Sequence, residues 1–574
     1  MKRILSYLKN YKKEAILAPL FKLLEVVFEL AVPLVIASLI DEGIARGDVS
    51  LIVGRSLLLV LLAAIGFLSA LVAQYFAAKA AVSASTDLRA DLFRRVQAMN
   101  YADLDAVGTS TLLTRLSGDT NQVQSGINMA LRLLLRSPFV VFGAMVMAFI
   151  VDTEGGIIFG VSIPVLFLVV FAILLATLPL YRRVQTHLDG VLRKTRENLR
   201  GVRVVRAFRM ENEEIEGFEK ENDALLSAQT LAGRISALLN PLTLTVINIA
   251  VIVLIYTGAL RVESGAITTG MVVALYNYMS QILIELVKLA NLVILLARSI
   301  ASARRIDAVL SQKNITVTPS AVPEILSDAR LAFHSVSLRY PSASAETLRN
   351  ISFTAEKGET VGIIGGTGSG KSSLVSLIPR FYDATQGCVS LDGKNILDYS
   401  PEDLRRRIAV VPQKSALFSG TIRENLLFGN ENASDKELWE ALSLAEAKEI
   451  VLGKDGGLDA AVEEGGKNLS GGQKQRLCIA RALVAKPDIL ILDDSTSALD
   501  AATDMRVRRA LRSLPYSPTV ILVSQRVGAL QNADKILVLD NGELAAEGTH
   551  TELIETSALY REIYDSQTKR EVAQ

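Results

Sequence analysis

The sequence predicts an all-α transmembrane domain of six spans with long cytoplasmic helical extensions, fused to an α/β domain built on a P-loop. Two observations predict this combination. Half of the 574 residues are hydrophobic and the mean hydropathy is positive, which is unusual for a soluble chain of this length. In addition, residues 365–372 match the pattern G-x-x-x-x-G-K-S/T between an apolar run and a plausible helix, the context that a P-loop requires.

Charge and composition exclude several classes of protein. The formal net charge of +1 gives no reason to expect a nucleic-acid partner. Cys388 and Cys478 lie far apart, which suits a reduced compartment with neither a disulfide framework nor zinc spacing. None of the three histidines has metal-ligand spacing to another histidine or a cysteine. The basic N-terminus leads into a charged segment, so we expect no removable signal peptide.

Six stretches are long and apolar enough to cross a bilayer as helices, which requires about 20 residues each. Their approximate limits are 15–40, 55–80, 131–151, 155–180, 235–260 and 266–290. Asn240 and Pro241, early in the fifth stretch, predict a local kink. We therefore place residues 1–310 in the transmembrane domain, residues 311–330 in a linker and residues 331–574 in the second domain.

Basic residues predict the orientation, because cytoplasmic loops are enriched in lysine and arginine. Long arginine-rich segments follow the second and fourth spans, whereas the connections near Asp152 and Arg261 are short. The residues before the first span include Lys2, Arg3, Lys9, Lys12 and Lys13. We therefore predict a multi-pass protein of the cell membrane with a cytoplasmic N-terminus and second domain. Each inner connection is predicted to be a pair of long helices with a bend between them.

The first span is the least apolar, because it contains Lys22, Glu25 and Glu29. Their spacing of three and four residues places them on one helix face. Ionisable groups at membrane depth usually face a cavity or a partner. Two alternatives stay open: these residues line a substrate cavity, or the span starts in the cytosol and Lys22 snorkels to the interface. We favour the interface for Lys22 and the cavity for Glu29.

The P-loop predicts a binding site for the phosphates of ATP. Its glycines let backbone N–H groups surround the phosphates, and the N-terminus of the following helix adds partial positive charge. Lys371 is expected to reach the β- and γ-phosphates, and the Ser372 hydroxyl to help hold Mg²⁺. The residues predicted to contact ATP here are Gly365, Gly366, Thr367, Gly368, Ser369, Gly370, Lys371, Ser372 and Ser373.

Other segments suit an ATPase with a P-loop. Residues 489–493 form a buried-strand pattern that ends in Asp493, a carboxylate expected to contact Mg²⁺ directly or through water. Upstream of this strand, residues 469–473 read LSGGQ. Tyr340 lies near a strand end before the P-loop. A tyrosine in that position is more often a packing residue, so its assignment to the adenine depends on resemblance.

The P-loop and LSGGQ together identify the chain as a member of the ATP-binding cassette (ABC) superfamily. Over essentially its full length it resembles one half-transporter of the type IV ABC exporters, especially the bacterial multidrug exporters built from two non-identical halves. The resemblance implies an ABC nucleotide-binding domain after the six spans. It also implies ATP and Mg²⁺ as cofactors, and ATP hydrolysis coupled to translocation.

By this resemblance, Tyr340 stacks on the adenine, and Gln413 is the Q-loop glutamine that senses Mg²⁺ and contacts the transmembrane domain. Residues 497–500 resemble the D-loop, and residues 101–119 and 197–208 resemble the segments around the two coupling helices. Residues 469–473 match the family's signature segment. In the family this signature binds the nucleotide held by the other cassette of a dimer, which implies that role for Ser470, Gly471, Gly472 and Gln473. The residues implied for the metal are Ser372, Gln413 and Asp493.

Two positions of this chain's own site depart from the family pattern. Asp493, at the end of the strand 489–493, corresponds to the family's Walker B aspartate. The family has a glutamate directly after it, which orients or deprotonates the attacking water, but this chain has Asp494. The aspartate carboxylate is withdrawn by about one C–C bond, on the order of 1.5 Å. Where the family has a switch histidine, this chain has Gln525, which can bond a γ-phosphate but cannot carry a proton. Asp494 and Gln525 together therefore predict a site that holds ATP and hydrolyses it slowly. Gln413, which keeps the family residue, is the third predicted catalytic position.

The leading hypothesis is one half of a heterodimeric exporter that uses ATP to move small hydrophobic or amphipathic compounds across the cytoplasmic membrane. Its expected partners are a second ABC half-transporter, the lipid bilayer and a small-molecule substrate, with no nucleic acid. Two alternatives stay open: a homodimeric exporter of lipid or peptide, and a regulatory or channel-like ABC protein gated by ATP. The spans exclude a soluble ATPase, and the fusion of spans and cassette argues against an importer.

Overall fold

The computed structural model describes residues 2–312, 328–340 and 343–571, so most of the predicted linker, 311–330, lies outside the described residues. The described chain divides into two compact units. The first unit comprises residues up to 98 together with 110–312. The second unit comprises residues 99–109 together with the described residues from 328 onward.

The first 312 residues are organised as helices. In chain order these are α1 (Lys2–Ser6), α2 (Lys12–Ser38), α3 (Val49–Gln97), α4 (Tyr101–Val107), α5 (Thr109–Thr114), α6 (Thr120–Leu133), α7 (Arg136–Val151), α8 (Thr153–Ala207), α9 (Glu211–Ala237), α10 (Leu239–Glu263) and α11 (Thr269–Ser311). Short 3-10 or π-helical turns occupy Tyr7–Tyr11, Leu39–Ile44 and Arg115–Asp119. All these elements except α4 and the first residue of α5 belong to the first unit.

Six helical runs of the first unit are long and apolar enough to cross a membrane, which confirms the predicted number of spans. They are Tyr7–Ile44, Val49–Gln97, Thr109–Val151, Thr153–Ala207, Glu211–Glu263 and Thr269–Ser311. α3 has 49 residues and α8 has 55. At ~1.5 Å per residue these helices are about 70–80 Å long, more than twice the ~30 Å of the hydrocarbon core. Helical extensions therefore continue beyond the spans.

The fifth run is interrupted where the sequence predicts a kink. α9 ends at Ala237 and α10 begins at Leu239, with Leu238 in a turn between them. Pro241 explains the break, because proline has no N–H to donate to the carbonyl of Ala237 and its ring crowds that carbonyl.

Charged side chains join α2, α7 and α11 inside the first unit. The Arg136 guanidinium pairs with Glu285, and its Nη2 lies 2.8 Å from Glu29 Oε2. Ser137 Oγ donates to Glu285 Oε2 at 2.8 Å, and Lys288 Nζ lies 2.8 Å from Glu285 Oε1. We call these five residues the Arg136 cluster. Because a buried charge is tolerated only with partners, the cluster links three of the spans.

Lys22 forms an ion pair with Glu25 of the same helix. Its side chain is 13% exposed, and its Nζ lies 2.5 Å from Glu25 Oε2. This pairing makes the burial of the Lys22 ammonium tolerable, because a nearby carboxylate stabilises an ammonium in apolar surroundings. The Glu29 side chain is 37% exposed, at the edge of a groove that Phe28 and Phe67 also line. This position favours the cavity alternative for Glu29.

The second unit is an α/β domain. Its strands are β1 (Leu331–Leu338), β2 (Leu348–Ala355), β3 (Thr360–Gly365), β4 (Gln386–Leu391), β5 (Lys394–Asn395), β6 (Ile408–Val411), β7 (Gly420–Thr421), β8 (Ala461–Val462), β9 (Ile489–Asp493), β10 (Thr519–Val523), β11 (Lys535–Asp540) and β12 (Glu543–Gly548). The main sheet has the order β12-β11-β3-β10-β9-β6 and is parallel except for β12. A second, antiparallel sheet has the order β2-β1-β4-β5, and β7 pairs with β8.

Helices follow most strands of this unit. They are α12 (Lys371–Leu377), α13 (Pro401–Arg406), α14 (Ile422–Leu427), α15 (Asp435–Leu444), α16 (Lys448–Leu452), α17 (Gly471–Val484), α18 (Ala501–Arg512), α19 (Val527–Leu530), α20 (His550–Thr556) and α21 (Ala558–Glu571). The main sheet is covered on both faces. In β9, Leu490 and Leu492 belong to one hydrophobic core while Ile489 and Ile491 belong to another, because successive strand residues point to opposite faces. The strand is therefore apolar throughout until it ends at Asp493.

α4 belongs to the second unit although the chain on either side of it belongs to the first. The ring of Tyr101 stacks on Phe381, with centroids 4.4 Å apart and planes inclined by 28°. The Tyr382 hydroxyl donates a hydrogen bond to the Asp105 carboxylate. Stacked aromatic rings and a hydrogen bond to a carboxylate thus fix α4 against the segment that follows α12.

Candidate nucleotide-binding site

The P-loop connects the end of β3 at Gly365 to α12, which begins at Lys371. Gly370 has φ of +98°, and a Cβ there would lie 2.7 Å from Leu348 Cδ2. The backbone conformation favours glycine strongly, because residues with a side chain rarely adopt this φ, and an added Cβ would also displace the Leu348 side chain. The other predicted residues of the loop form an exposed turn at Gly366, Thr367 and Gly368 and a buried position at Ser369. This tight strand-to-helix turn is the geometry on which phosphate binding depends.

Lys371 is 9% exposed, and its ammonium is held within the loop. Nζ donates hydrogen bonds to the carbonyl oxygens of Gly365 at 2.8 Å and Gly366 at 2.6 Å, and to Ser369 Oγ at 3.3 Å. Burial lowers the pKa of Lys371, an effect that two nearby aspartates oppose. A buried ammonium whose hydrogen-bond partners are uncharged oxygens would interact strongly with phosphate.

Oxygen atoms from α12 and β9 meet beside the loop. Ser372 Oγ donates to Asp493 Oδ1 at 3.2 Å. Burial raises the pKa of Asp493, and the neighbouring Asp494 raises it further. These oxygens fit Mg²⁺, which proteins hold through one or two carboxylates together with phosphate oxygens and water. The described residues contain no group of three or more His, Cys, Asp or Glu that could hold a metal.

Gln413 and Asp494 meet at the same edge of the main sheet. Asp494 follows β9 with φ of +47°, a left-handed conformation that aspartate tolerates better than most residues. Its Oδ2 accepts a hydrogen bond from Gln413 Nε2 at 3.3 Å. Gln413 follows β6, the neighbour of β9 in the sheet. Two residues that the sequence assigned separately to the catalytic site are therefore in direct contact.

Gln525 follows β10, which lies between β3 and β9. The carboxyl ends of parallel strands meet at one edge of a sheet, so Gln525 shares this edge with the P-loop and Asp493. Its side chain is exposed. Its backbone carbonyl accepts a hydrogen bond from Gln567 Nε2 at 2.7 Å.

Tyr340 lies next to α12. Its hydroxyl donates to Ser373 Oγ at 2.9 Å. Its ring meets Tyr382 edge to face, with centroids 4.9 Å apart and planes at 89°. Because these contacts fix the ring while it stays partly exposed, Tyr340 suits stacking on a base.

The signature begins α17. Ser470 is the N-cap: its Oγ accepts from the Gln473 N–H at 3.3 Å, and Gln473 Oε1 accepts from the Ser470 N–H at 3.0 Å. A Cβ at Gly472 would lie 3.1 Å from the Ala498 carbonyl oxygen, and the Ala498 N–H donates to Gln475 Oε1 at 3.0 Å. This reciprocal capping box and the contact with the D-loop define the start of the helix, where Ser470 and Gly471 are exposed.

Sequence reasoning did not identify Tyr382 and Gln567. Phe381 and Tyr382 follow the end of α12 by a few residues, and this aromatic pair is the sequence signal for a packing role at that position. Gln567 contacts residues 40 and 42 positions earlier in the chain. No local pattern around Gln567 indicates that contact.

Two families match the chain: "ABC transporter transmembrane region" over residues 15–287 and "ABC transporter" over residues 348–497. An uncharacterized ABC transporter ATP-binding protein of Bacillus subtilis (strain 168), YfiB, is 38% identical over 571 residues, covering 100% of this chain and 99% of that protein. An ATP-dependent lipid A-core flippase of Syntrophus aciditrophicus (strain SB) is 31% identical over 486 residues, covering 84% of this chain and 80% of the flippase.

The fold also matches a solved structure. A bacterial Atm1-family ABC exporter with ATP bound aligns with a TM-score of 0.80 at 24% identity, covering 97% of this chain and 98% of that chain. Such a likeness shows the fold alone, whereas the family matches and the full-length relative show membership. The chain therefore belongs to the ABC transporter family, as a type IV exporter half-transporter: a multi-pass membrane protein whose cytoplasmic cassette binds ATP and whose ATPase activity drives export.

Proposed function

We propose that this chain is one half of a heterodimeric exporter. Its own site binds ATP and Mg²⁺ but hydrolyses ATP slowly, and a different half-transporter supplies the efficient site. In this proposal residues 365–373 hold the phosphates, Tyr340 holds the adenine, and Ser372, Asp493 and Gln413 surround the metal. Mg²⁺, when bound with ATP, neutralises charge on the phosphate oxygens.

The single observation that carries the proposal is the aspartate at position 494. A carboxylate that activates water must reach it at hydrogen-bond distance. Asp494 is shorter than the family's glutamate by about 1.5 Å, and Gln413 Nε2 already lies 3.3 Å from its Oδ2. General acid–base catalysis typically contributes about 10²–10⁴-fold in rate. The Asp494 carboxylate therefore lies farther from the attacking water than a glutamate would, and it is already hydrogen-bonded to Gln413. Both features support slow hydrolysis without affecting how ATP is held.

Gln525 supports the same conclusion. It stands at the position of the family's switch histidine, at the sheet edge shared by the P-loop strand and the Walker B strand. Its amide can donate a hydrogen bond to a γ-phosphate oxygen. Because an amide does not take up a proton near neutral pH, it replaces the contact of a histidine but not its acid–base chemistry.

The intact signature supports a partner of a different kind. Ser470 and Gly471 present the capped start of a 14-residue helix to solvent, and such a helix start attracts phosphate. In the family this surface completes the ATP site of the other half. A chain that keeps this surface but alters its own catalytic residues is suited to completing a competent site on a non-identical partner.

The proposed substrates are small hydrophobic or amphipathic compounds. The groove lined by Phe28, Phe67 and Glu29 in the first unit combines aromatic surface with a partly exposed carboxylate, a combination that suits amphipathic molecules. A second candidate is a homodimeric lipid exporter, which the similarity to a lipid A-core flippase favours.

The experiment compares ATP hydrolysis by the purified full-length chain alone with hydrolysis by a variant that restores both family residues, Asp494→Glu with Gln525→His. In the self-paired chain, each intact signature would face an altered site. We expect slow turnover by the wild type and a gain of at least ~10-fold in the variant, since general-base positioning is worth about 10²–10⁴-fold.

The matched control is Asp455→Glu, which makes the same one-carbon extension in an exposed turn outside the main sheet and should leave turnover unchanged. Turnover by the lone wild type as fast as by the double variant would contradict the proposal. It would favour the homodimeric exporter, in which aspartate and glutamine suffice.

A further inference from the structure

The side chain of Gln567, on the C-terminal helix α21, contacts the backbone that carries Gln525. We define residues 524–527, which follow β10, as the switch loop. Gln567 Nε2 donates to the Gln525 carbonyl oxygen at 2.7 Å, and the Val527 N–H donates to Gln567 Oε1 at 2.8 Å. Because one bond uses the amide nitrogen and the other the amide oxygen, the pair fixes both the position and the orientation of the amide.

The start of the switch loop is anchored separately. The Ser524 N–H donates to the carbonyl oxygen of Ile363, in the P-loop strand, at 3.1 Å. The Arg526 N–H donates to Ser524 Oγ at 3.0 Å. The bonds of Ser524 hold the backbone before Gln525, and the Gln567 amide holds the backbone from Gln525 to Val527. The Gln525 side chain itself stays exposed.

α21 is well suited to serve as an anchor. Tyr560 is fully buried in the same hydrophobic core as Val527 and Leu530, and a hydrogen bond of 2.8 Å links its hydroxyl to His550 Nδ1. Packing of this kind restricts rotation and translation of a helix. The position of the Gln567 amide is therefore determined by the core.

We infer that Gln567 is a positioning residue for Gln525: it sets the distance and angle at which the Gln525 amide meets the γ-phosphate of bound ATP. The inference rests on the proposed function in one respect, the assignment of Gln525 to that phosphate. ADP lacks the γ-phosphate, so a positioning role affects the affinity for ATP and leaves the affinity for ADP unchanged. A purely structural role would affect both nucleotides or neither.

The experiment measures dissociation constants for Mg²⁺–ATP and Mg²⁺–ADP on the full-length chain in lipid nanodiscs, by competition with a fluorescent nucleotide. Gln567→Leu removes both hydrogen bonds and keeps a side chain of similar size. We expect the preference for ATP over ADP to fall about tenfold, the value of one hydrogen bond to a charged group. The control Ser566→Ala changes an exposed neighbour on the same helix and should leave both constants unchanged.

Two further variants make the result decisive. Gln567→Glu keeps the acceptor for the Val527 N–H but loses the donor to the Gln525 carbonyl, so an intermediate loss is expected even if the leucine variant folds poorly. Gln525→Ala should lower the preference for ATP by itself, and combining it with Gln567→Leu should add little, because the two changes remove one contact. An unchanged preference in Gln567→Leu and Gln567→Glu overturns the inference. An unchanged preference in Gln525→Ala shows instead that the assignment of Gln525 has failed, and the inference with it.

Discussion

In the first unit, Arg136 lies between Glu285 and Glu29, and Glu285 is also paired with Lys288. In the second unit, Asp493 accepts a hydrogen bond from a serine and lies beside the like-charged Asp494, and the Lys371 ammonium is held by carbonyl and hydroxyl oxygens. Each group is centred on a buried side chain, Arg136 with Glu285 in the first and Lys371 in the second. The first balances its charges through direct ion pairs within the chain, whereas in the second the Lys371 ammonium and the two aspartates attract each other but their direct hydrogen-bond partners are uncharged.

This difference distinguishes charges that stabilise the fold from charges that bind a ligand. Breaking a balanced buried pair leaves an uncompensated charge, so the cost falls on stability. Where burial shifts the pKa of a group because its charge lacks a direct ion-pair partner, a ligand of opposite charge supplies that partner when it binds. Each variant below is therefore measured twice, by thermal unfolding without nucleotide and by affinity for Mg²⁺–ATP.

The largest effect is expected for Arg136→Met. The change removes the buried guanidinium that pairs with the buried Glu285 carboxylate, and breaking a buried pair in this way costs about 3–5 kcal/mol. The unfolding temperature should fall sharply while the affinity for ATP stays unchanged. Arg55→Met is the control, because the Arg55–Glu42 pair spans 3.6 Å with both side chains more than a third exposed, and such pairs contribute about 0–1 kcal/mol. Equal effects of the two variants would contradict a stabilising role for the Arg136 cluster.

Lys371→Ala should give the opposite pattern. Losing a charged donor to two phosphates is expected to weaken ATP binding about 100-fold. The unfolding temperature without nucleotide should not fall, because the variant removes a buried ammonium whose hydrogen-bond partners are uncharged oxygens. Lys486→Ala, which removes an exposed lysine paired with Glu437, is the control. In a complex with the partner half, turnover should persist in Lys371→Ala, and its complete loss would count against assigning hydrolysis to the partner's site.

A third test uses pH. Burial and Asp494 raise the pKa of Asp493 in the folded chain, so the folded state takes up a proton more readily than the unfolded state as the pH falls. Lower pH therefore stabilises the nucleotide-free chain at this residue and weakens Mg²⁺ binding, because a protonated carboxyl is a poor ligand for the metal. The Mg²⁺-dependent part of the ATP affinity should decline on acidification, starting at a higher pH than for an ordinary aspartate. Asp493→Asn should remove that pH dependence, and its persistence in the variant would rule out Asp493 as the titrating group.

The sequence predicts the parts of this molecule that depend on neighbouring residues. The six spans and the turn at Gly370 follow from local composition and pattern, and the break at Leu238 follows from Pro241. Contacts between distant residues could not be predicted in this way. Arg136 and Glu285 are 149 positions apart and Gln525 and Gln567 are 42 apart, so their pairing emerges only when helices from different parts of the chain come together.

One paired contact of the second unit provides the smallest and sharpest test. The Tyr382 hydroxyl donates to Asp105 of α4, and its ring supports Tyr340 edge to face. Burial, together with the Asp105 bond, raises the pKa of Tyr382, so the hydroxyl keeps its proton and the bond persists at alkaline pH.

If paired groups act only on stability, Tyr382→Phe should lower the free energy of unfolding by about 0.5–1.5 kcal/mol, the value of one hydrogen bond, without changing the affinity for ATP. Tyr382→Ala removes the ring as well as the hydroxyl and leaves Tyr340 without its edge-to-face partner, so it should lower both stability and ATP affinity. The two variants thus separate the hydroxyl from the ring within one side chain. A loss of ATP affinity in Tyr382→Phe as large as that in Tyr382→Ala would mean that the contact with α4 itself influences nucleotide binding. The simple distinction between paired and unpaired polar groups would then fail at the contact that fixes α4 in the second unit.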